Sequence, residues 1–355
     1  MGPEAAPSES VPRDVVDAER LARFLAQHLP DLAGPFSLRR LGEGQSNLTL
    51  LVRGQDWEVV LRRPPRGDLP PTAHDVRREY RVIRALWEAR APVPVPRPVA
   101  LCEDSSVIGA PFYLMEKVDG VAIRRRLPRG FSSHAHGRPM GEQLVNRLVA
   151  LHGVDYRAVG LEGFGKPAGF LERQLQRMRA LWDRARFRDV PEIEEVGAWL
   201  GDHLPPQSGT TIVHGDYKLD NVLFSPAPPV RLVALVDWEL STLGDPLCDV
   251  GWMLYFWRER GEAAIRIPVA TVTDQPGFPT RSALREQYAA ATGRGSDDLR
   301  WYVALAGWKI AIIMEGSYRR YRAGIADHPS FAALEQAVPD LSRRALAAIT
   351  GDLVL

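Results

Sequence analysis

The sequence predicts an α+β protein in which a small antiparallel-sheet lobe precedes a larger, mainly helical lobe. Three observations carry this reading. Short apolar runs broken by glycines fill residues 36–61, a proline-rich stretch at 92–98 cannot be helical, and helix-period segments dominate from residue 141 onward.

Residues 1–13 are rich in Pro, Glu and Ser without periodicity and read as a disordered tail. Asp17 can cap a helix whose face carries Leu21, Phe24, Leu25 and Leu29. Phe36–Leu38, Leu48–Val52 and Trp57–Leu61 then read as a three-strand meander, with Gly42, Gly44 and Gly54 at its breaks. A helix follows, in which Val76, Tyr80, Ile83 and Trp87 form the apolar face and Arg77, Arg78 and Glu79 the polar one. Pro92, Pro94, Pro96 and Pro98 impose an extended connector, because each removes a backbone donor and restrains its predecessor. Strands are expected at Val99–Cys102 and Pro111–Lys117, the second ending in the turn pair Asp119-Gly120. Helical spacing then covers 141–152, 168–185, 192–203, 281–291, 299–322 and 331–349, with short β-rich runs at Thr211–Val213, Val222–Phe224 and Leu232–Val236. The division is therefore a tail at 1–13, a first lobe at 14–118 and a second at 119–355.

Composition limits the function. Lys+Arg 45 against Asp+Glu 44 gives a net charge of +1, so no global field would capture nucleic acid or a membrane surface. Two cysteines, Cys102 and Cys248, supply neither a disulfide framework nor a Cys-rich zinc site and point to the cytoplasm. The N-terminus lacks signal-peptide regions, and the apolar stretch Trp301–Tyr318 is interrupted by Lys309 and Glu315, as in a buried helix rather than a bilayer span.

The densest polar group is His214-Gly215-Asp216-Tyr217-Lys218-Leu219-Asp220-Asn221, flanked by apolar runs. Placing such a set between core strands is costly unless it meets a ligand or metal. Asp237 leaves another apolar strand sixteen residues after Asn221, so Asp216, Asn221 and Asp237 are expected to converge. Their oxygens suit Mg2+, which takes one or two carboxylates together with phosphate oxygens. Gly42, Gly44, Gln45, Ser46 and Asn47 lie between strands, where a glycine loop can lay backbone amides over a polyphosphate. Arg62 ends a strand and Glu79 sits on the next helix, which allows an ion pair that would hold a cation near phosphates.

In this order of parts the chain resembles the aminoglycoside-phosphotransferase-like branch of the protein-kinase-like fold, over about residues 17–350. The pattern His-x-Asp-x-x-x-x-Asn stands at His214, Asp216 and Asn221, and the metal-binding Asp at Asp237. The motifs Gly44–Asn47, Leu61–Pro65, Arg78–Tyr80, Phe112–Gly120 and Asp237–Asp249 are similar to the subgroup found fused to acyl-CoA dehydrogenases in animals and free-standing in bacteria.

The resemblance implies a bilobal fold and transfer of the γ-phosphoryl group of ATP, with Mg2+, to a hydroxyl of a small molecule. Asp216 would orient or accept the hydroxyl proton and Lys218 would face the γ-phosphate; Asn221 and Asp237 would hold metal. Arg62 takes the place of the nucleotide-anchoring Lys, with Glu79 as its partner, and presents a planar fork instead of a point charge. Glu116, Lys117 and Val118 match the hinge whose backbone would bind adenine. The subgroup implies a hydroxyacyl-CoA acceptor; an aminoglycoside or macrolide is the alternative. From other classes, a nucleotide-binding pseudokinase and a metallohydrolase using His214, Asp216, Asp237 and Asp245 stay open. The resemblance implies no oligomeric state.

Other residues have plainer readings. His214 alone reads as a structural histidine, Asp245 as a turn residue and Asp249 as a helix cap. His134 and His136 read as an exposed loop, and Arg319, Arg320 and Arg322 as a solvated helix end rather than a phosphate site.

Overall fold

The computed structural model describes residues 16–41, 47–65, 75–295, 299–326 and 329–355. Backbone proximity divides the chain into two compact units. The first takes the described residues up to Ala91, Val95–Asp119 and Asp237–Glu239; the second takes Pro92–Pro94, Gly120–Val236 and the described residues from Leu240 onward.

The first unit begins with α1 (Ala18–His28), where Asp17 Oδ1 accepts the Arg20 N–H at 3.0 Å and closes an open helix end. It continues through β1 (Ser37–Arg40), β2 (Leu48–Arg53), β3 (Glu58–Arg63), α2 (Val76–Glu88), β4 (Pro98–Cys102) and β5 (Phe112–Glu116). The strands form one antiparallel sheet in the order β1-β2-β3-β5-β4. Because strand side chains alternate, register assigns each residue a face. Leu50 pairs Leu61, which pairs Leu114; with Val52, Val59 and Phe112 they bury against Leu21 and Leu25 of α1. One residue along, Thr49, Arg62 and Tyr113 align on the opposite face.

That second face corrects the reading of α2. Its buried residues are Val76, Glu79, Val82, Ile83 and Leu86, whereas Trp87 is 42% exposed. The helix is rotated about its axis relative to the purely apolar pattern, because Glu79 faces a buried cation on β3 and turns inward with its neighbours.

The second unit comprises β6 (Val121–Ala122), α3 (Ser133–His152), α4 (Phe170–Ala185), α5 (Pro191–Asp202), β7 (Thr211–Val213), β8 (Val222–Phe224), β9 (Leu232–Leu235), β10 (Thr242–Gly244), α6 (Leu247–Phe256), α7 (Arg281–Thr292), α8 (Leu299–Arg322) and α9 (Leu334–Thr350). β6, β8 and β9 form one small sheet, and β7 pairs with β10. α8 is buried on most of its surface, with α6 and α9 against it. The close approach of α6 depends on Gly251, where a Cβ would stand 2.5 Å from the Tyr302 carbonyl oxygen. Glu315, fully buried in α8, is paired with Arg188 at 2.9 Å. No helix among the described residues is long and apolar enough to cross a membrane.

His134 and His136 lie on α3, not in a loop. Ser132 Oγ accepts the Ala135 N–H at 3.3 Å and starts the helix eight residues before the expected 141. Pro139 removes one helical bond, but Gly137 and Gly141 fit tightly against Gly277–Pro279, so packing overrides the local penalty. The C-terminal segment expected to be helical from 331 starts as a 3-10 turn at Pro329–Ala333 and becomes α9 at Leu334.

Candidate active site

In the first unit β3 delivers Arg62, α2 delivers Glu79 and β5 delivers Tyr113. One guanidinium nitrogen, Nη2 of Arg62, donates to Glu79 Oε1 and to Asp237 Oδ1, each at 2.8 Å. Tyr113 donates its hydroxyl to Glu79 Oε2 at 2.8 Å and Asn47 Nδ2 donates to Oε1 at 3.1 Å. Glu79 is wholly buried; burial pushes its pKa up and the Arg62 charge opposes that. Burial works against the Arg62 charge too, yet Glu79, Asp237 and Glu239 hold its pKa well above the arginine norm. Burial raises Tyr113 strongly, and Glu79 adds to it, so the phenol stays a donor.

Asp237 has φ +69, a left-handed conformation uncommon for a residue with a side chain and best tolerated by Asp and Asn. Oxygens of Glu79, Asp237 and Glu239 lie within 4.8 Å of one another, an arrangement able to hold a cation. Arg62 Nε is buried without a hydrogen-bond partner among the described residues, an orphan donor of the kind a phosphate oxygen satisfies. Glu116 gives its N–H to the Arg97 carbonyl at 2.9 Å, and Lys117 pairs with Glu58 at 2.8 Å. Val118 follows within the same unit. Gly42, Gly44, Gln45 and Ser46 lie outside the described residues, as does the 1–13 tail.

In the second unit the chain leaves β7, forms a loop at 214–218, makes a 3-10 turn at Leu219–Asn221 and enters β8. Asp216 is the focus of that loop. Its Oδ1 accepts the Trp252 Nε1–H at 2.6 Å; its Oδ2 accepts from Lys218 Nζ at 2.5 Å and Asn221 Nδ2 at 2.6 Å. Three donors on one carboxylate fix its orientation. Asn221 Nδ2 also meets the Asp216 carbonyl at 2.9 Å, so the amide nitrogen faces the loop and Oδ1 is left as the acceptor. That donor chemistry, an amide oxygen and carboxylate oxygens, fits Mg2+.

The loop backbone is clamped from α6. Asp249, fully buried, accepts the N–H groups of His214 at 2.7 Å and Gly215 at 2.8 Å, and His152 Nε2 lies 3.2 Å from the same carboxylate. Asp249 is therefore not a helix cap: it lies inside α6 and satisfies the loop amides instead of its own helix end. Gly215 has φ +84, and a Cβ there would sit 2.5 Å from the Leu240 carbonyl oxygen, so neither the turn nor the space admits a side chain. His214 is fully buried, with Nε2 3.1 Å from the Val236 carbonyl oxygen, as a structural histidine. Asp245 accepts from Ser208 N–H, Ser208 Oγ, Leu247 N–H and the Tyr302 hydroxyl, which leaves a hydrolytic metal site no ligand there.

The structure thus brings Asp216, Lys218 and Asn221 together in the second unit, and Asn47, Arg62, Glu79 and Asp237 in the first. The contribution of Asp237 to the Arg62 pair was not anticipated. The sequence pattern gives Trp252 and Glu239 no site role and reads Asp249 as a helix cap. The 249/252 spacing puts a carboxylate and an indole donor one turn apart on one helix face, the signal that could have found them. Arg319 points to the Arg184 carbonyl and Arg322 Nη1 donates to the Tyr318 hydroxyl at 3.1 Å, as in a solvated helix end.

A kinase-like fold with this loop defines a phosphotransferase, and comparison with known proteins places it. The chain matches the phosphotransferase enzyme family over residues 37–302, and it belongs to that family. As a member of it, the chain is a phosphotransferase. Acyl-CoA dehydrogenase family member 10 of Mus musculus is 35% identical over 319 residues, 89% of this chain and 29% of that protein. Acyl-CoA dehydrogenase family member 11 of Gallus gallus is 33% identical over 360 residues, 98% of this chain and 45% of that protein. The chain spans less than half the length of these relatives. A solved Ralstonia eutropha structure assigned to the aminoglycoside phosphotransferases has 33% identity and a TM-score of 0.77, covering 94% of this chain and 99% of the other.

Proposed function

We propose that this phosphotransferase is a cytoplasmic small-molecule kinase that uses ATP and Mg2+ to phosphorylate the hydroxyl of a hydroxyacyl-CoA. The first lobe, 14–118, would bind nucleotide and the second, 119–355, the acceptor. The observation that carries the reading is the Asp216 carboxylate, held by Trp252, Lys218 and Asn221 in a loop whose backbone Asp249 fixes.

In the second unit Asp216 receives or orients the acceptor hydroxyl proton, and its three donors keep the oxygens aimed so that little reorganisation accompanies transfer. Lys218, paired with Asp216 here, would exchange that partner for the transferring phosphoryl group. In the first unit Arg62, locked by Glu79, offers its unpartnered Nε to the polyphosphate, while the Glu116–Val118 backbone would bind adenine. Gly42 to Asn47 would cover the phosphates. Asn221 in the second unit and Asp237 in the first would each offer an oxygen to metal, whose charge would offset that developing on the phosphates. Leu240, half exposed beside Gly215, offers the apolar surface an acyl chain would use. The likeness to the acyl-CoA dehydrogenase family members supports the acyl class.

Mass spectrometry after incubation with Mg-ATP and hydroxyacyl-CoAs, aminoglycosides or macrolides tests this, with Asp216→Asn as control. A phosphorylated hydroxyacyl-CoA absent from the control is the expected outcome. Faster turnover of an antibiotic would replace the acceptor assignment.

A further inference from the structure

The chain as a whole carries a net charge of +1, yet residues 120–141 hold five arginines, two histidines and no carboxylate side chain. Three of those arginines, Arg124, Arg125 and Arg126, are consecutive and exposed. Other exposed arginines of this protein stand beside a carboxylate, as Arg20 does with Asp17, Arg53 with Glu58 and Arg84 with Glu88. Arg125 and Arg126 have neither an ion pair nor a hydrogen bond among the described residues.

The triplet is built onto the loop that carries Asp216. Val121 and Ala122 of β6 pair with Phe224 and Leu223 of β8, the strand that the chain enters after Asn221. Gly120 permits this approach, since a Cβ there would stand 2.9 Å from Leu223. The Arg124 carbonyl then accepts the Thr271 N–H at 2.8 Å, and the neighbouring Ala270 N–H donates to Oδ2 of Asp220 at 2.9 Å. Asp220 is buried in the 3-10 turn, next to Asn221. Its Oδ1 has no hydrogen-bond partner among the described residues and lies 3.8 Å from Arg124 Nε. That distance is too long for a hydrogen bond, so Asp220 holds the guanidinium by charge alone while 53% of the Arg124 side chain stays in solvent. One carboxylate thus serves three arginines, and the surplus positive charge is left beside the turn that ends in Asn221.

We infer that Arg124, Arg125 and Arg126 bind a phosphate group of the acceptor, remote from the hydroxyl that Asp216 receives. This rests on the hydroxyacyl-CoA reading above and names the part of that molecule the protein recognises away from the reacting atoms. Arginine suits the task, because its planar guanidinium stays charged and matches phosphate oxygens in pairs. Exposure suits it too: phosphates are strongly hydrated and cost least to bind at a wet rim, whereas the acyl end of the same molecule is apolar. The phosphates of the nucleotide have Arg62 in the first unit and Lys218 for the transferring group, while the triplet belongs to the second unit with the loop of Asp216.

The experiment presents one hydroxyacyl chain as its CoA, dephospho-CoA and pantetheine thioesters, the last without phosphate, to the wild type and to Arg125→Gln/Arg126→Gln, alone and with Arg124→Gln added. The wild type is expected to have an acceptor KM roughly tenfold lower for the CoA thioester than for the pantetheine thioester, and the double variant should lose most of that preference through KM. Raising the ionic strength from about 0.01 to 0.15 M shortens the screening length from about 30 to about 8 Å and should erode the wild-type preference in the same way. A loss on going from CoA to dephospho-CoA identifies the 3′-phosphate as the ligand, and a loss only at pantetheine identifies the diphosphate. Equal KM for the three thioesters in the wild type, a preference that survives the triple variant, or a rise in the KM for ATP in place of the acceptor KM overturns the inference and leaves the phosphotransferase assignment intact. If no thioester is phosphorylated, calorimetric binding of CoA itself decides separately. Binding weakened in the double variant supports the site; binding unchanged in the triple variant, or absent from the wild type, removes it.

Discussion

Trp252 donates its indole N–H to Oδ1 of Asp216 at 2.6 Å, across 36 residues of sequence. The bond leaves the second oxygen to Lys218 and Asn221 and so gives the carboxylate two differently employed edges. Trp252→Phe keeps the ring and removes the donor. One hydrogen bond to a charged group corresponds to about 1.5–3 kcal/mol, so kcat should fall by roughly ten- to a hundredfold. Steady-state kinetics should show KM for ATP little changed; an unaltered kcat would mean that the bond does not orient Asp216.

Asp249 holds the loop through two backbone amides and is itself buried with His152. Asp249→Ala leaves two buried N–H groups unsatisfied, and a loss of about 3 kcal/mol is expected. Asn at this position keeps one acceptor oxygen and should be intermediate. Chemical denaturation of the three proteins checks the order.

Arg62→Met deprives fully buried Glu79 of its counter-charge, with a cost of about 3–5 kcal/mol. Because burial raises the Glu79 pKa in the folded state, its contribution to stability is fullest below about 4.5 and declines as pH rises through the folded value. With Arg62 absent the folded pKa rises further. Denaturant midpoints followed as pH rises from about 4.5 should therefore fall more steeply in Arg62→Met than in the wild type.

Asp237→Asn removes both an Arg62 partner and a proposed metal ligand. Nucleotide binding in the presence of Mg2+ should weaken by roughly tenfold or more, with a smaller change in EDTA. Calorimetry with and without the metal reads the difference; equal weakening in both would assign Asp237 to Arg62 alone.

Lys309→Met tests the cost of burying the Lys309 ammonium beside the Trp252 ring. Its folded pKa is depressed, so its contribution to stability is present above about 10.5 and is lost as pH falls through the folded value. At neutral pH the methionine variant should therefore melt higher, by roughly 1–3 °C. A melting point at or below the wild type would show that the contact with Trp252 outweighs the burial.

The sequence by itself determined the parts whose signal is local. The spacing from His214 to Asn221, the apolar run ending at Asp237, and Arg62 with Glu79 on consecutive elements are all legible because short strands, turns and caps follow from neighbours in the chain. The same local rules predicted α8 at Leu299–Arg322 and β7 and β8 at the observed residues. Only the tertiary structure decided the partners. Arg62 meets Asp237 from 175 residues away, and Asp249 turns to the loop instead of its own helix end. α2 rotates to bury Glu79, and α3 runs through Pro139 because its glycines fit a distant turn. In each case a buried polar or tightly packed group overrides the local preference, since an unpaired charge or a steric clash costs more than a lost helical bond or a misplaced apolar residue.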